Sequence, residues 1–458
     1  MVKIIIFITS LLLLFGLPLR ESLPILIPFM ALTFVVHRFI LNNDHWARLI
    51  WSGGMLFCIF FVIWVNNWAW NHAVFGDFPL LYGDAGVYYA LAMDILSGDD
   101  IMSLRQINYL GYPIFLAYAT VVSMLPTLLG GLWINTVIGG ITALFLRKIA
   151  ICITDSEQTG RLSMLFYFLS AQAVSTNVYL LKDPLLNLAL VAGLYCFILT
   201  CEKTSIIPLL LLLPLIFIIS LLRVPMVPAL LVCGVMLLVF NRKSVYNKAA
   251  YVIFLLLLML VAIRIANAAF SSGLILHDYV GDEEIINKQV DYVGGWEQES
   301  ASDSIVFSLI AGNQRWPIWR KILSAPLFTL IQMSTPINIW HFEANPKWIP
   351  ENNMMIVWYV LILPLIFAAI FRWKKQESGY AKTLFSLGII GYVVISCIFG
   401  GVIPRYAIFF QMLLLIFAAD ILRKAFVDRV VRHYVSLVFM SYFFIGFCLF
   451  GLYIIYKF

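Results

Sequence analysis

Runs of about 17 to 22 apolar residues recur along almost the whole chain, and this is the length of a helix that crosses a bilayer. Short polar stretches separate the runs. The pattern predicts an all-α polytopic membrane protein with about 13 transmembrane helices, forming a single membrane domain over residues 1–458. The predicted spans lie at 3–19, 23–41, 48–66, 131–150, 162–181, 184–201, 206–221, 224–240, 249–268, 353–371, 383–402, 406–422 and 434–456.

Two further apolar stretches, 112–129 and 326–340, do not fit as full spans. Proline lies near both ends of each stretch, which is typical of short or broken helices. Counting 112–129 as a span would also move the basic pair Arg147 and Lys148 to the other side of the membrane. We therefore interpret both stretches as re-entrant or interfacial helices, and a chain with fifteen spans is the alternative.

The composition agrees with a membrane protein, because 62% of the residues are hydrophobic and 12% are charged. Soluble domains are closer to about half apolar and about a quarter charged. These values exclude a disordered chain, a nucleic-acid-binding domain and a secreted disulfide scaffold. The 7 cysteines lie in or beside apolar runs, without the clustering that metal ligands require.

Basic and acidic residues are distributed unevenly between the two predicted faces of the membrane. With the N-terminus inside, the inner face receives more than half of the 30 lysine and arginine residues and fewer than a third of the 24 acidic ones. This excess follows the positive-inside rule, so we expect a cytoplasmic N-terminus. Two long segments, 67–110 and 269–352, then face outward, and their aromatic residues indicate that both fold onto the membrane.

Asp84 follows Gly83 at the start of a predicted amphipathic interfacial helix, in which Tyr88, Ala92 and Leu96 share one face. An aspartate at this position can simply cap the free N–H groups of the first turn. A carboxylate held against a membrane surface beside tyrosines can also act as a general base on a hydroxyl. Both interpretations stay open from the residues alone.

Five cations lie on the predicted outer side. Lys182, Arg223 and Arg405 lie in turns between spans, while Arg315 and Arg320 lie beside tryptophans in the second outer segment. Each could be a snorkelling or aromatic-belt residue. Because charge sorting disfavours cations on this side, their common location suggests an anionic ligand such as a lipid phosphate.

His341 and Glu343 form a further candidate acid/base pair in the second outer segment, although a histidine near a membrane surface is often structural. No HExxH, DxD, Walker or glycine-rich phosphate loop occurs in the sequence. We therefore expect no metal site and no required cofactor, with a divalent metal ion as an open alternative.

At these residues the chain resembles the GT-C superfamily of membrane glycosyltransferases that use polyprenyl-phosphate sugars, in particular the bacterial protein O-mannosyltransferase and aminoarabinose transferase group. The family pattern is an acid in the first large outer loop, an interfacial helix with tyrosine and alanine, a glycine, and a tyrosine-proline entry into the next helix. The matching residues are Asp84, Tyr88, Tyr89, Ala90, Gly98, Gly111-Tyr112-Pro113, Lys182-Asp183 and Arg405-Tyr406.

The resemblance implies a bacterial inner-membrane enzyme with its active site on the extracytoplasmic face. Asp84 would be the general base, with Asp77 as a possible second acid. The lipid phosphate would meet some of the five outer cations, and no nucleic acid would be involved. Tyrosines would line the substrate pocket, namely Tyr88, Tyr89, Tyr112 and Tyr406. The acceptor would be a glycan, a lipid or a protein, and the bilayer would hold the donor's tail.

Two other functions compete with this one. A polysaccharide polymerase or ligase would also use outer arginines with a lipid-linked sugar. A lipid-linked sugar transporter (flippase) would need charged residues deep within its helices, and Arg264 is the nearest to such a position.

Overall fold

The part of the chain that the structure describes consists of helices joined by short turns and extended residues, and it contains no strand. The computed structural model describes residues 1–72, 84–98, 111–178, 180–203, 207–223, 226–240, 356–372, 379–399 and 407–457, with residues 260, 264, 320 and 323. The predicted helix at 326–340, most of the predicted span at 249–268 and most of both predicted outer segments lie outside these residues.

Nine helices make up the described part of the first 203 residues, and α2 continues into a π-helical turn at Val36–Ile40. The helices are α1 (Val2–Gly16), α2 (Leu19–Val35), α3 (His45–His72), α4 (Asp84–Ser97), α5 (Gly111–Ser123), α6 (Thr127–Thr154), α7 (Glu157–Leu169), α8 (Ala171–Val178) and α9 (Asp183–Lys203).

Seven more helices follow in the described part of the remaining chain, and a π-helical turn at Trp358–Ile362 leads into α13. They are α10 (Ile207–Leu210), α11 (Leu212–Arg223), α12 (Met226–Phe240), α13 (Leu363–Phe371), α14 (Gly379–Phe399), α15 (Ile408–Val427) and α16 (Arg429–Lys457).

Five helical segments in the described residues are long and apolar enough to cross a membrane, which supports a helical membrane protein. Most of the other described helices in predicted spans are shorter, and α15 carries three charged residues near its end. α5 has 13 residues and is therefore about 20 Å long, less than the hydrocarbon thickness. The five segments are Leu19–Ile40, His45–Asn67, Thr127–Thr154, Asp183–Glu202 and Arg429–Cys448.

The structure interrupts two predicted spans. The span predicted at 162–181 is broken between α7 and α8, where Ser170 has an extended backbone with φ −76° and ψ 113°. Serine is a favoured residue before a helix, and the Ser170 carbonyl accepts the hydrogen bond of Val174 N–H that begins α8. The span predicted at 206–221 is broken between α10 and α11. Pro214 explains this break, because its ring clashes with the carbonyl four residues earlier, at Leu210.

α6 forms the axis of the bundle, and it packs against α3, α5, α7, α8 and α9. About two-thirds of the residues in its apolar stretch are buried inside the protein, whereas only about a tenth are buried in the apolar stretch of α16. Small residues allow this close packing, because a Cβ atom on Gly139 would lie 2.3 Å from the Asn177 amide. α16 is correspondingly a peripheral helix whose apolar side chains face outward.

We expect Gly54→Ala to destabilise the protein by about 1–3 kcal/mol through overpacking. An added Cβ on this α3 residue would lie 2.3 Å from the buried ring of Phe168 in α7. The neighbouring Gly53 has nothing within 4 Å of its Cβ position, so Gly53→Ala is the matched control. Thermal unfolding in detergent should show a lower midpoint for the first variant only. Equal midpoints would contradict the packing of α3 on α7.

Candidate functional site

Five helices meet at a group of polar and aromatic side chains that we call the tyrosine cluster. α4, α5 and α9 begin there, α11 ends there, and α6 passes beside it. The cluster consists of Tyr88, Tyr112, Asn135, Lys182, Asp183 and Arg223.

The aromatic and cationic side chains of the cluster are in direct contact. The rings of Tyr88 and Tyr112 meet edge to face, with centroids 5.2 Å apart. Lys182 Nζ lies 5.9 Å from the centroid of the Tyr88 ring, within the range of a cation–π interaction. Lys182 is only 3% exposed, so its charge is held away from bulk water. A buried lysine is costly unless an anion or a π face accompanies it.

Arg223 completes the cationic side of the cluster. Its guanidinium Nη2 lies 3.8 Å from Asp183 Oδ1, and both side chains are largely buried. α11 reaches the cluster because Gly111, at the start of α5, lies against its last turn. A Cβ atom on Gly111 would lie 2.5 Å from the Leu221 carbonyl oxygen, so only glycine fits this approach.

The helix directions add to the positive potential. From Tyr88, α4 runs away from the cluster to Met93, whose sulfur accepts a hydrogen bond from Thr127 at 3.2 Å. The N-termini of α4, α5 and α9 therefore all point at the cluster, and a helix N-terminus carries a partial positive charge. Together with Lys182 and Arg223, these three ends favour an anion, while Asp183 balances part of the charge.

Asp84 is the first residue of α4, one helical turn before Tyr88. This agrees with the predicted start of the helix at Asp84. Tyr88 and Ala92 are buried as the predicted stripe requires, whereas Leu96 is 38% exposed. α4 packs against α5, and the buried part of the stripe is its first two members.

Burial raises the pKa of the Tyr112 hydroxyl, and the nearby Asp183 carboxylate raises it further. A hydrogen bond from Asn135 opposes this shift. Tyr112 therefore stays protonated at neutral pH, and it serves the cluster as a neutral hydroxyl group.

The sequence interpretation selected four of these residues, Tyr88, Tyr112, Lys182 and Arg223, and the structure brings them together. Tyr89 is half-buried on α4, and Arg320 is helical and exposed. Six other candidates lie outside the described residues: Asp77, Arg315, His341, Glu343, Arg405 and Tyr406. In the described ranges, no group of histidine, cysteine, aspartate and glutamate is arranged to hold a metal ion.

Asn135 is the residue of the cluster that the sequence interpretation missed. It is fully buried in α6, and its side-chain amide donates to the Tyr112 hydroxyl at 2.8 Å and to the Leu181 carbonyl at 3.1 Å. A lone asparagine inside an apolar run is itself a signal, because an uncompensated amide is costly in a membrane.

A second set of ion pairs, the charged cluster, lies toward the other end of α6. It consists of Asp44, Arg147, Glu157 and Arg161. Arg147 Nη2 lies 2.7 Å from Asp44 and also contacts Glu157, while Arg161 Nε lies 2.9 Å from Asp44. Along α6 the two clusters are separated by about 18 Å, from Asn135 to Arg147. Arg147 and Arg161, two of the basic residues assigned to the inner side, therefore lie together at this end of α6.

Burial of the Asp44 carboxyl acts to raise its pKa, but hydrogen bonds outweigh this effect. The Ala47 N–H, Arg161 and Arg147 all donate to the carboxylate and hold its pKa below the usual value. Asp44 is therefore ionised at neutral pH and anchors both arginines.

Comparison with protein-family models gives no match for this chain, and comparison with curated protein sequences gives none either.

Proposed function

We propose that the chain is a GT-C-type membrane glycosyltransferase that moves a sugar from a polyprenyl phosphate to an acceptor hydroxyl. It would have about thirteen spans, with a cytoplasmic N-terminus in a bacterial inner membrane and its active site on the extracytoplasmic face. The observation that carries the proposal is the convergence of buried Lys182, largely buried Arg223 and three helix N-termini, one of which begins with Asp84.

The donor phosphate would bind at the tyrosine cluster. Lys182 and Arg223 are the cations of the cluster, and Arg315, Arg320 and Arg405 are further candidates. The described cluster holds two cations and the Asp183 carboxylate, so its net charge of about +1 suits the single negative charge of a phosphodiester. The exposed apolar side chains around the bundle would accommodate the polyprenyl tail in the bilayer.

The reaction follows from these roles. The acceptor oxygen attacks the anomeric carbon, and its proton passes to the Asp84 carboxylate. The bond between the anomeric carbon and the phosphate oxygen breaks, so the polyprenyl phosphate leaves with the electron pair and the sugar configuration is inverted. Lys182 and Arg223 stabilise the negative charge that develops on the leaving phosphate, an electrostatic effect that is often the largest in catalysis. No cofactor is needed for this step.

Mass spectrometry of cell-surface glycans, glycolipids and proteins from intact and deleted strains tests the proposal. We expect deletion to remove one type of sugar while the underlying chains keep their length. Chains shortened to a single repeat would instead indicate a polymerase or ligase. Lipid-linked sugar that accumulates on the inner leaflet would indicate a transporter. Either of these results would overturn the transferase proposal.

A further inference from the structure

We infer that Asn135 is a positioning residue that holds Tyr112 and Lys182 in the arrangement that binds the phosphate of the lipid donor. This inference rests on the proposed function. Its basis is that one buried amide joins two elements of the tyrosine cluster that are far apart in sequence, α5 and the chain just before α9.

The orientation of the Asn135 amide is fixed by its partners. A carbonyl oxygen can only accept a hydrogen bond, so the group facing Leu181 O must be the amide NH2 rather than its oxygen. The same nitrogen lies 2.8 Å from the Tyr112 hydroxyl oxygen. The Asn135 amide therefore donates to both the Leu181 carbonyl and the Tyr112 hydroxyl.

This arrangement gives Tyr112 a defined role. Its hydroxyl oxygen accepts from Asn135, so the hydroxyl hydrogen is not used in this bond and can be donated to another acceptor. The ring is fully buried against Tyr88, and this contact restricts where the hydroxyl can lie. Tyr112 is thus oriented as a neutral hydrogen-bond donor within the group of cations that attracts the phosphate.

The second bond fixes the backbone at Lys182. Leu181 precedes the lysine, and its carbonyl is held by Asn135, while the Lys182 carbonyl accepts from Leu186 N–H at 3.1 Å. The backbone is therefore anchored on both sides of the peptide that carries the lysine. Its side chain then extends over the ring of Tyr88.

Equilibrium binding of labelled undecaprenyl phosphate, a polyprenyl monophosphate, to the purified full-length protein in detergent tests this role. We expect Asn135→Ala to raise the Kd about tenfold, the loss expected when a hydrogen bond to a charged group is no longer positioned. Asn177→Ala is the matched control. Asn177 is equally buried and its amide donates to a tyrosine, Tyr167 at 3.2 Å, but it lies outside the tyrosine cluster.

The two variants should lose similar thermal stability, and only Asn135→Ala should lose affinity. A double-mutant cycle with Tyr112→Phe measures whether the two substitutions affect lipid affinity independently. A purely structural role of Asn135 would not couple its effect on affinity to the Tyr112 hydroxyl. If Asn135 acts through the Tyr112 hydroxyl, the combined loss of affinity should be clearly smaller than the product of the two single losses.

The outcomes separate this inference from the proposed function. If the wild type binds the lipid and Lys182→Ala weakens binding, but Asn135→Ala matches the wild type or the Asn177 control, the positioning role is wrong and the phosphate site stands. Independent effects in the double-mutant cycle would also overturn it. If the wild type does not bind the lipid, both the inference and the proposed donor are wrong.

Discussion

Replacing Asp84 with asparagine is expected to lower sugar transfer by about 100-fold or more, since general-base catalysis by a positioned group contributes at least about this factor. Asparagine has nearly the same size as aspartate and can still cap the first turn of α4, but it cannot accept the proton of the acceptor hydroxyl. The variant should therefore fold, keep its affinity for the lipid phosphate, and lose turnover. The measurement is the mass of cell-surface glycans in a deleted strain that carries the variant at matched protein level.

Asp94→Asn supplies the control for this experiment. Asp94 lies on the same helix, ten residues after Asp84 and beyond Tyr88, and its side chain is half-exposed. This variant should restore the sugar fully. If Asp84→Asn also restores it, the base assignment is wrong, and the pair His341 and Glu343 becomes the next candidate.

The second large effect concerns stability. We expect Arg147→Met to destabilise the protein by about 3–5 kcal/mol, the cost of breaking a buried ion pair by removing one partner. The Arg147 side chain is 4% exposed and binds both Asp44 and Glu157. Methionine fills much of the same volume without charge, so the buried Asp44 carboxylate would keep only Arg161 and the Ala47 N–H as partners.

Arg20→Ala is the comparison for Arg147→Met. Arg20 also lies near an acid, with its Nε 3.8 Å from Glu21, but its side chain is 86% exposed, and such surface pairs contribute little. Thermal unfolding in detergent and the yield of monodisperse protein should fall for Arg147→Met and stay unchanged for Arg20→Ala. Similar midpoints for both variants would mean that the charged cluster does not stabilise the bundle.

Hydrophobic runs predicted much of the described helical structure, and charge sorting grouped two arginines that lie together in it. α9 occupies almost the same residues as the span predicted at 184–201, and Arg147 and Arg161 meet at one end of the bundle as sorted. Both signals are sums over many residues, so single exceptions do not disturb them. The break at Ser170 was not predicted, because one extended residue hardly changes the hydropathy of a twenty-residue window.

The candidate site could be predicted in part. Lys182 and Arg223 were recognisable because cations on the predicted outer side depart from the positive-inside rule. The ion pair between Arg223 and Asp183 and the two hydrogen bonds of Asn135 were not predictable. They depend on how α5, α6, α9 and α11 are placed against one another, and the periodicity of each helix does not contain this information.

The charged cluster also has a consequence for biogenesis. Asp44 precedes Arg147 by 103 residues, and Glu157 follows it by only 10, so a ribosome that has completed α7 has already supplied every member. Further along, the buried Asp420 is met within its own helix by Arg423 and Lys424, three and four residues later. Charges are expensive inside a bilayer. The two most buried of these charges, Arg147 and Asp420, each have a counterion that is either already inserted or about to emerge. The chain can therefore enter the membrane from its N-terminus onward without a long wait for neutralisation.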